Sequence, residues 1–246
     1  ELVWIEDPSN TDLRFSRNFF RHQILAPLKA RFPGAEAALA RAAAHFNEAQ
    51  SLLEELAEED LARVRPGERA ALAALKNLSQ ARLTNLLRHR LSQLDLPAPD
   101  ASQLQELLRQ LTTAAAPWRI HFPLWALCAE DDQVWIEPSA LPEPGAEIEW
   151  DLAAPLVWGI ATLTPTGAPC DPLTLRSRSG GEKIRPDARR PARDLKTLAR
   201  EAGIPPWWRE LIPVIWYRGR AIGWGPFFDA SLAAPPCRVE LPARRF

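Results

Sequence analysis

The stretch Leu104-Gln105-Glu106-Leu107-Leu108-Arg109-Gln110-Leu111-Thr112-Thr113-Ala114-Ala115-Ala116-Pro117-Trp118-Arg119-Ile120-His121-Phe122 changes texture halfway along. Leu104, Leu107, Leu108 and Leu111 recur three and four apart, the period of one helical face. Beyond Pro117 the period is lost, and Trp118 to Phe122 and Val134-Trp135-Ile136-Glu137 are short runs rich in aromatic and β-branched residues, which read as strands of a small hairpin. The chain is therefore expected to be an α+β multidomain protein. An N-terminal all-helical module, built on a long helical hairpin, precedes a small β-rich α+β domain.

Upstream of that switch the helical signals are continuous. Asp100 is an N-cap candidate for the Leu104 helix, and Leu83, Leu87, Leu91 and Leu94 mark another helix over about Ser79 to Leu94. A shorter one is expected near Glu68 to Leu75, after a break at Arg65-Pro66-Gly67. Leu39, Ala42, Phe46, Ala49, Leu53 and Leu56 alternate three and four apart, which predicts a long helix from about Ala35 to Val64 with the seam of a helical hairpin or short coiled coil. Still earlier, caps at Asn10 to Asp12 open a helix that Pro27 should end or kink near Ala26. On it Arg17, Arg21, Ile24 and Leu28 would share one stripe, cationic at first and apolar later, so the early half should face a polar cleft and the late half a core. The other reading is that Arg17 and Arg21 lie at the edge of the core.

Downstream, Leu141-Pro142-Glu143-Pro144-Gly145 reads as a linker. Strands are expected over 146–151, 156–165 and 173–178, one short helix over Asp194 to Ala202, and a hairpin of 212–217 with 220–225 turned at Arg218-Gly219.

Composition restricts the function. At 246 residues with 46% hydrophobic and 25% charged side chains the chain is long enough for two ordinary domains. No apolar run approaches the roughly 20 residues that span a bilayer, so no membrane role is expected. Cys128, Cys170 and Cys237 are far apart and form neither a disulfide framework nor a thiolate zinc site, which fits a reducing cytoplasm. The four histidines are scattered, no metal site is written, and no nucleophilic elbow is present. With no methionine anywhere, the sequence is expected to be a fragment or a processed chain.

The formal charge of −1 hides a segregation. Five carboxylates and no base lie between Gln50 and Asp60, whereas nine bases stand against three acids from Arg176 to Arg200. Arg176, Arg178, Lys183, Arg185, Arg189, Arg190, Arg193 and Lys196 make that second stretch the natural phosphate-contacting surface. Trp207 reads as a core plug, while Trp208 and Arg209 read as surface groups able to stack on a base or grip a phosphate. Arg82, Arg88 and Arg90 fit a solvated helix face or an RNA contact equally. Ser179-Gly180-Gly181-Glu182 has glycines that could approach an anion, but Ile184 and Arg185 stand where an ATP-cleaving S-G-G-x-D-S loop needs Asp and Ser, so it reads as a plain turn.

The beginning of the chain is more specific. Trp4-Ile5-Glu6-Asp7-Pro8-Ser9-Asn10-Thr11-Asp12 followed by Arg17-Asn18-Phe19-Phe20-Arg21 resembles the W-x-E-D-x-S-N-x-D…R-N-x-x-R signature of the tRNA(Ile)-lysidine synthases. The Gln50-to-Leu61 stretch is similar to the acidic end of that family's long helix. Arg193-Asp194-Leu195-Lys196 with Glu201-Ala202-Gly203-Ile204-Pro205-Pro206-Trp207-Trp208-Arg209…Pro213 resembles the signature of its last domain. Phe15 departs from the Tyr common there.

The resemblance implies a ligase that adenylates the wobble cytidine of an isoleucine tRNA with ATP and lets the amine of lysine displace AMP. It implies an adenylating domain ahead of this stretch, so that no cofactor belongs to the stretch itself, while ATP and Mg serve the full-length enzyme. The partners implied are tRNA(Ile), and lysine and ATP through that other domain, with a homodimer left open. Asp7, Asn10, Arg17, Asn18 and Arg21 would be the substrate-side strip, with Arg17 and Arg21 now favoured as functional for their permanently charged forks. Residues 1–22 would then be the tail of the catalytic domain, 23–141 a helical tRNA-binding domain ending in a small hairpin, and 142–246 a C-terminal α+β tRNA-binding domain. A helical protein-interaction scaffold with no RNA role is the alternative, and no complete catalytic set can be assembled from the residues present.

Overall fold

The computed structural model of the chain describes residues 12–65, 69–167 and 171–246. Residues 1–11, which hold Asp7, Asn10 and most of the first motif, lie outside the described residues, as do the Pro66-Gly67 break and Cys170. The contacts divide the chain into two units, Glu1–Glu58 and Glu59–Phe246.

In the first unit the expected single helix is composite. It comprises α1 (Ser16–Phe19), a π-helical turn (Phe20–Leu25) and α2 (Ala26–Arg31). It continues past Pro27 because in the wider π turn the residue four back is no longer the hydrogen-bond partner, which relieves the clash and lost bond that stop an α-helix. The stripe through Arg17, Arg21, Ile24 and Leu28 presupposes an unbroken α period, and the six π-helical residues interrupt it. Ile24 is accordingly exposed and Leu28 only half-buried, which corrects the expectation that the later half faces a core. Next, α3 (Ala35–Val64) forms over the predicted residues. Its apolar seam is uncovered among the described residues, with Leu39, Phe46 and Leu53 at 52%, 76% and 45% exposure.

The second unit opens with the end of α3, where Leu61 and Val64 are buried. It continues through β1 (Ala70–Ala71), α4 (Leu72–Lys76), α5 (Gln80–Gln93) and α6 (Ala101–Thr113). Ser79 caps α5, and Asp100 caps α6 through a capping box with Gln103. Then come β2 (Trp118–His121), β3 (Trp125–Glu130) and β4 (Gln133–Pro138), antiparallel in the order β1-β4-β3-β2. The strand β3 is absent from the sequence-based expectation. Buried on both faces over Trp125 to Ala129, it shows no alternation, and its Ala, Leu and Cys residues carry no strand signal. Leucines of α5 and α6 pack with Trp125, Leu127 and Val134 into one core.

The remainder contains β5 (Ile148–Trp150), β6 (Leu156–Trp158), β7 (Ala161–Pro165), β8 (Leu173–Arg176), β9 (Lys183–Ile184), β10 (Arg193–Asp194), α7 (Leu195–Glu201), a 3-10 turn (Pro206–Trp208), β11 (Val214–Tyr217), β12 (Arg220–Trp224), β13 (Phe227–Phe228) and β14 (Cys237–Glu240). The sheets run β13-β12-β11-β8-β5 and β14-β7-β6, with β9 and β10 as a separate antiparallel pair. The single strand expected over 156–165 is two, turned at Gly159. There φ is +56° and a Cβ would lie 2.3 Å from the Leu211 carbonyl oxygen, so only glycine fits. The expected helix and the hairpin at Arg218-Gly219 are both present. Among the described residues, no helix is long and apolar enough to cross a membrane.

Candidate nucleic-acid interface

The basic stretch folds as a hairpin followed by a helix. Lys183–Ile184 pairs with Arg193–Asp194, and α7 leaves directly from the second strand, capped by Asp194, whose carboxylate accepts from the Thr197 N–H at 2.8 Å and hydroxyl at 3.0 Å. The hairpin is pinned at its base. Asp229, 4% exposed, accepts the Arg185 N–H at 3.3 Å, and the Ala230 N–H donates to the Arg185 carbonyl at 2.7 Å. Burial would raise the Asp229 carboxyl, but donors from Ser231 and Arg185 and the charge of Arg220 outweigh it and hold the group below the usual range.

This scaffold sorts the predicted cations into two sets. Lys183, Arg189, Arg190 and Lys196 are exposed, as is Arg200 on α7. Arg190 lies 3.6 Å from Asp187, an exposed pairing that competes weakly with a phosphate. Arg185 is exposed yet occupied, because its guanidinium donates to the carbonyls of Ala188 and Arg190 and folds the loop around itself. Arg193 pairs with Glu201. Arg176 stacks 3.8 Å from the Trp216 ring centre, and Arg178 stands 4.0 Å from Glu210.

The glycine turn carries its own anion. Glu182 accepts from the Ser179 N–H at 2.5 Å, the Ser179 hydroxyl at 2.9 Å and the Gly180 N–H at 2.9 Å. Those N–H groups are engaged with a carboxylate, and the turn does not fit an ATP phosphate.

Trp208 and Arg209 are not the surface groups expected. Trp208 is 2% exposed, and Arg209 is largely buried, donating to the Ile204 carbonyl at 3.1 Å and lying 3.5 Å from Glu130. Both are drawn inward by acids on the β4-β3-β2 sheet, which sequence spacing does not reveal. The centre of that junction is Glu137, 7% exposed and missed by the sequence analysis. Its Oε1 accepts from Arg119 Nε at 2.7 Å and Trp207 Nε1 at 2.9 Å, and its Oε2 from Trp135 Nε1 and Trp208 Nε1, each at 3.0 Å. The only local hint was Trp135-Ile136-Glu137, two positions apart on one face of a strand.

The alternative basic surface on the helices is mostly engaged as well. Arg82 makes a two-pronged bond to buried Asp60 at 2.8 and 2.6 Å, and Arg90 is buried and donates to Gln93 at 2.8 Å, leaving Arg88 exposed. In the first unit Arg17 and Arg21 are exposed, and Arg21 lines a cleft of about 380 Å³ with Leu28, Lys29 and Glu36. Asn18 is buried, its amide donating to the Asp12 carbonyl at 3.0 Å. Among the described residues, no group of three or more His, Cys, Asp or Glu is placed to hold a metal ion.

Known proteins are similar to this chain in sequence, region by region. Residues 71–135 match the family model described as TilS substrate binding domain, and residues 173–225 the one described as TilS substrate C-terminal domain. The tRNA(Ile)-lysidine synthase of Nitrosomonas europaea is 36% identical over 229 residues, 87% of this chain and 50% of that protein. Its counterpart in Aromatoleum aromaticum is 38% identical over 231 residues, covering 89% of this chain and 54% of the relative. For Pseudomonas aeruginosa the figures are 40% over 230 residues, 87% and 51%. The chain thus spans about half the length of the curated relatives it matches. Both domain models are matched in order, with the basic hairpin inside the second, so residues 71–135 and 173–225 are similar to the substrate-binding and C-terminal domains of the tRNA(Ile)-lysidine synthases.

Proposed function

We propose that this chain is the tRNA-gripping part of a ligase that attaches lysine to the wobble cytidine of tRNA(Ile), and that by itself it binds tRNA without catalysing the reaction. The observation that carries this is the exposed cationic set Lys183, Arg189, Arg190, Lys196 and Arg200, held on a pinned hairpin and helix inside the matched C-terminal domain. In the division proposed, 1–22 is the tail of the catalytic domain, 23–141 the helical tRNA-binding domain and 142–246 the C-terminal one. Arg17 and Arg21 serve the substrate side together with Asp7 and Asn10, while Asn18 holds their turn through Asp12. ATP and Mg serve the full-length enzyme through a region outside this chain, and the Ser179-to-Glu182 turn offers them no site because Glu182 fills it. A cytoplasmic setting and a homodimer belong to the same proposal.

Titrating the chain with tRNA at rising salt tests it. Each neutralised phosphate contributes a slope of about −0.9 to log affinity against log salt on a duplex, so the line should be steep. Arg189→Ala with Arg190→Ala should flatten it by up to about two units. A flat line for the unaltered chain rejects the proposal, as does incorporation of labelled lysine into tRNA by the chain alone. The uncovered seam of α3 supports a second reading, a protein-interaction scaffold, for which a partner complex insensitive to salt is the expected result.

A further inference from the structure

Glu137 is unusual in what surrounds it. An ionised carboxylate offers about four lone-pair positions, and here four donors occupy them, two on each oxygen. The donors are divided between the two matched domains: Arg119 and Trp135 belong to residues 71–135, Trp207 and Trp208 to residues 173–225. Glu137 lies in neither, at the end of β4. Three of the four are indole N–H groups, each on a rigid ring whose position fixes the direction of its bond.

Further contacts close the same junction. The Arg244 guanidinium sits 5.0 Å from the Trp135 ring centre and 4.8 Å from that of Trp208, one ring from each domain. Immediately beyond it, the Ile136 N–H donates to the Arg245 carbonyl at 2.8 Å, and Phe246 is fully buried in the core formed by α5, α6 and β3. A chain that has just completed β14 in the C-terminal sheets is thereby returned to the helical core.

We infer that Glu137 is a positioning residue: by binding donors from both domains at once it sets the angle at which the C-terminal domain, and with it the basic hairpin, is presented relative to the helical domain. It touches no substrate. Its effect on tRNA is through the rigidity of the junction, since two surfaces held at a fixed spacing bind one ligand with a gain that a loose connection loses. This consequence for tRNA rests on the function proposed above; the fixed angle does not.

Glu137→Gln tests it with little change of volume. One oxygen is replaced by an amide N–H₂ that faces two donors whichever oxygen it replaces, so two of the four bonds are lost. Trp207→Phe removes a single donor from the other side and keeps a ring in place. Spin labels at Gln105→Cys on α6 and Ala233→Cys beside β14, in a Cys170→Ser background, report the distance between the domains. The unaltered junction should give a narrow distribution, Glu137→Gln a broad one, and Trp207→Phe an intermediate one, with circular dichroism unchanged. Affinity for tRNA should fall at least about tenfold in Glu137→Gln although every exposed cation is retained. Narrow distributions in both variants overturn the inference, and so does a broadened distribution with undiminished affinity. If the chain with intact Glu137 binds no tRNA, the functional proposal fails, and the distance distributions alone still decide whether Glu137 sets the angle.

Discussion

Residues 12–58 and residues 59–246 use the same Leu- and Ala-rich helical vocabulary and treat it in opposite ways. In the second unit, leucines three and four apart on α5 and α6 are buried almost without exception. In the first, the same spacing on α3 leaves Leu39, Phe46 and Leu53 facing solvent. Of the large apolar side chains exposed among the described residues, ten lie at or before Leu53, and only Leu124 and Val157 lie later. A helical period states which face can be buried, and says nothing of what covers it.

The most direct way to break this contrast is to remove one large apolar side chain from each unit. Phe246→Ala empties a fully buried site in the helical core and should cost about 3–5 kcal/mol, seen as a drop in the denaturation midpoint. A cost below about 1 kcal/mol would show that the returning segment is not part of that core.

Charge sharpens the comparison at an intermediate scale. Burial raises the Glu182 carboxyl, but the Ser179 and Gly180 N–H groups and the Ser179 hydroxyl outweigh it and hold the group below its usual 4.5. A depressed carboxyl stabilises the fold above its unfolded value and loses that contribution as pH falls through the folded one. Glu182→Gln should therefore cost about 1 kcal/mol at neutral pH, and its melting curve should converge on that of the unaltered chain as pH falls below 4.5. In the first unit, Glu36 is also held low, by Lys29 at 2.5 Å, but both groups are exposed. Added salt should erase the Glu36 effect and leave the Glu182 effect in place, as paired pH titrations at low and high salt would reveal.

The smallest effect is expected at Phe46. With 76% of its surface already exposed, Phe46→Ser should change stability by no more than about 0.5 kcal/mol. A loss of several times that in the same denaturation experiment would mean that the α3 seam is covered in solution, and the contrast between the units would then disappear.

The local elements were legible because their signals are local. Periodicity marked α3 at both ends, Asp100 announced α6, and Arg218-Gly219 announced a hairpin, each decided by residues within a few positions of one another. The density of bases after Arg176 was equally plain, since charge is counted without knowing a fold. What the linear order could not supply was the partner of each group. Whether a cation is free for phosphate depends on acids far away in sequence: Asp60 takes Arg82, and Glu130 faces Arg209. Trp208, expected on the surface, is turned inward by a carboxylate 71 residues before it. β3 escaped notice for a related reason, because a strand covered on both faces loses the alternation that one-sided burial imposes. Sequence by itself determined the elements, their order and the location of the charge, all consequences of short-range backbone geometry and composition. Only the tertiary structure decided which polar groups are already satisfied. A buried donor or acceptor must find its partner somewhere in the fold, and that search takes no account of distance along the chain.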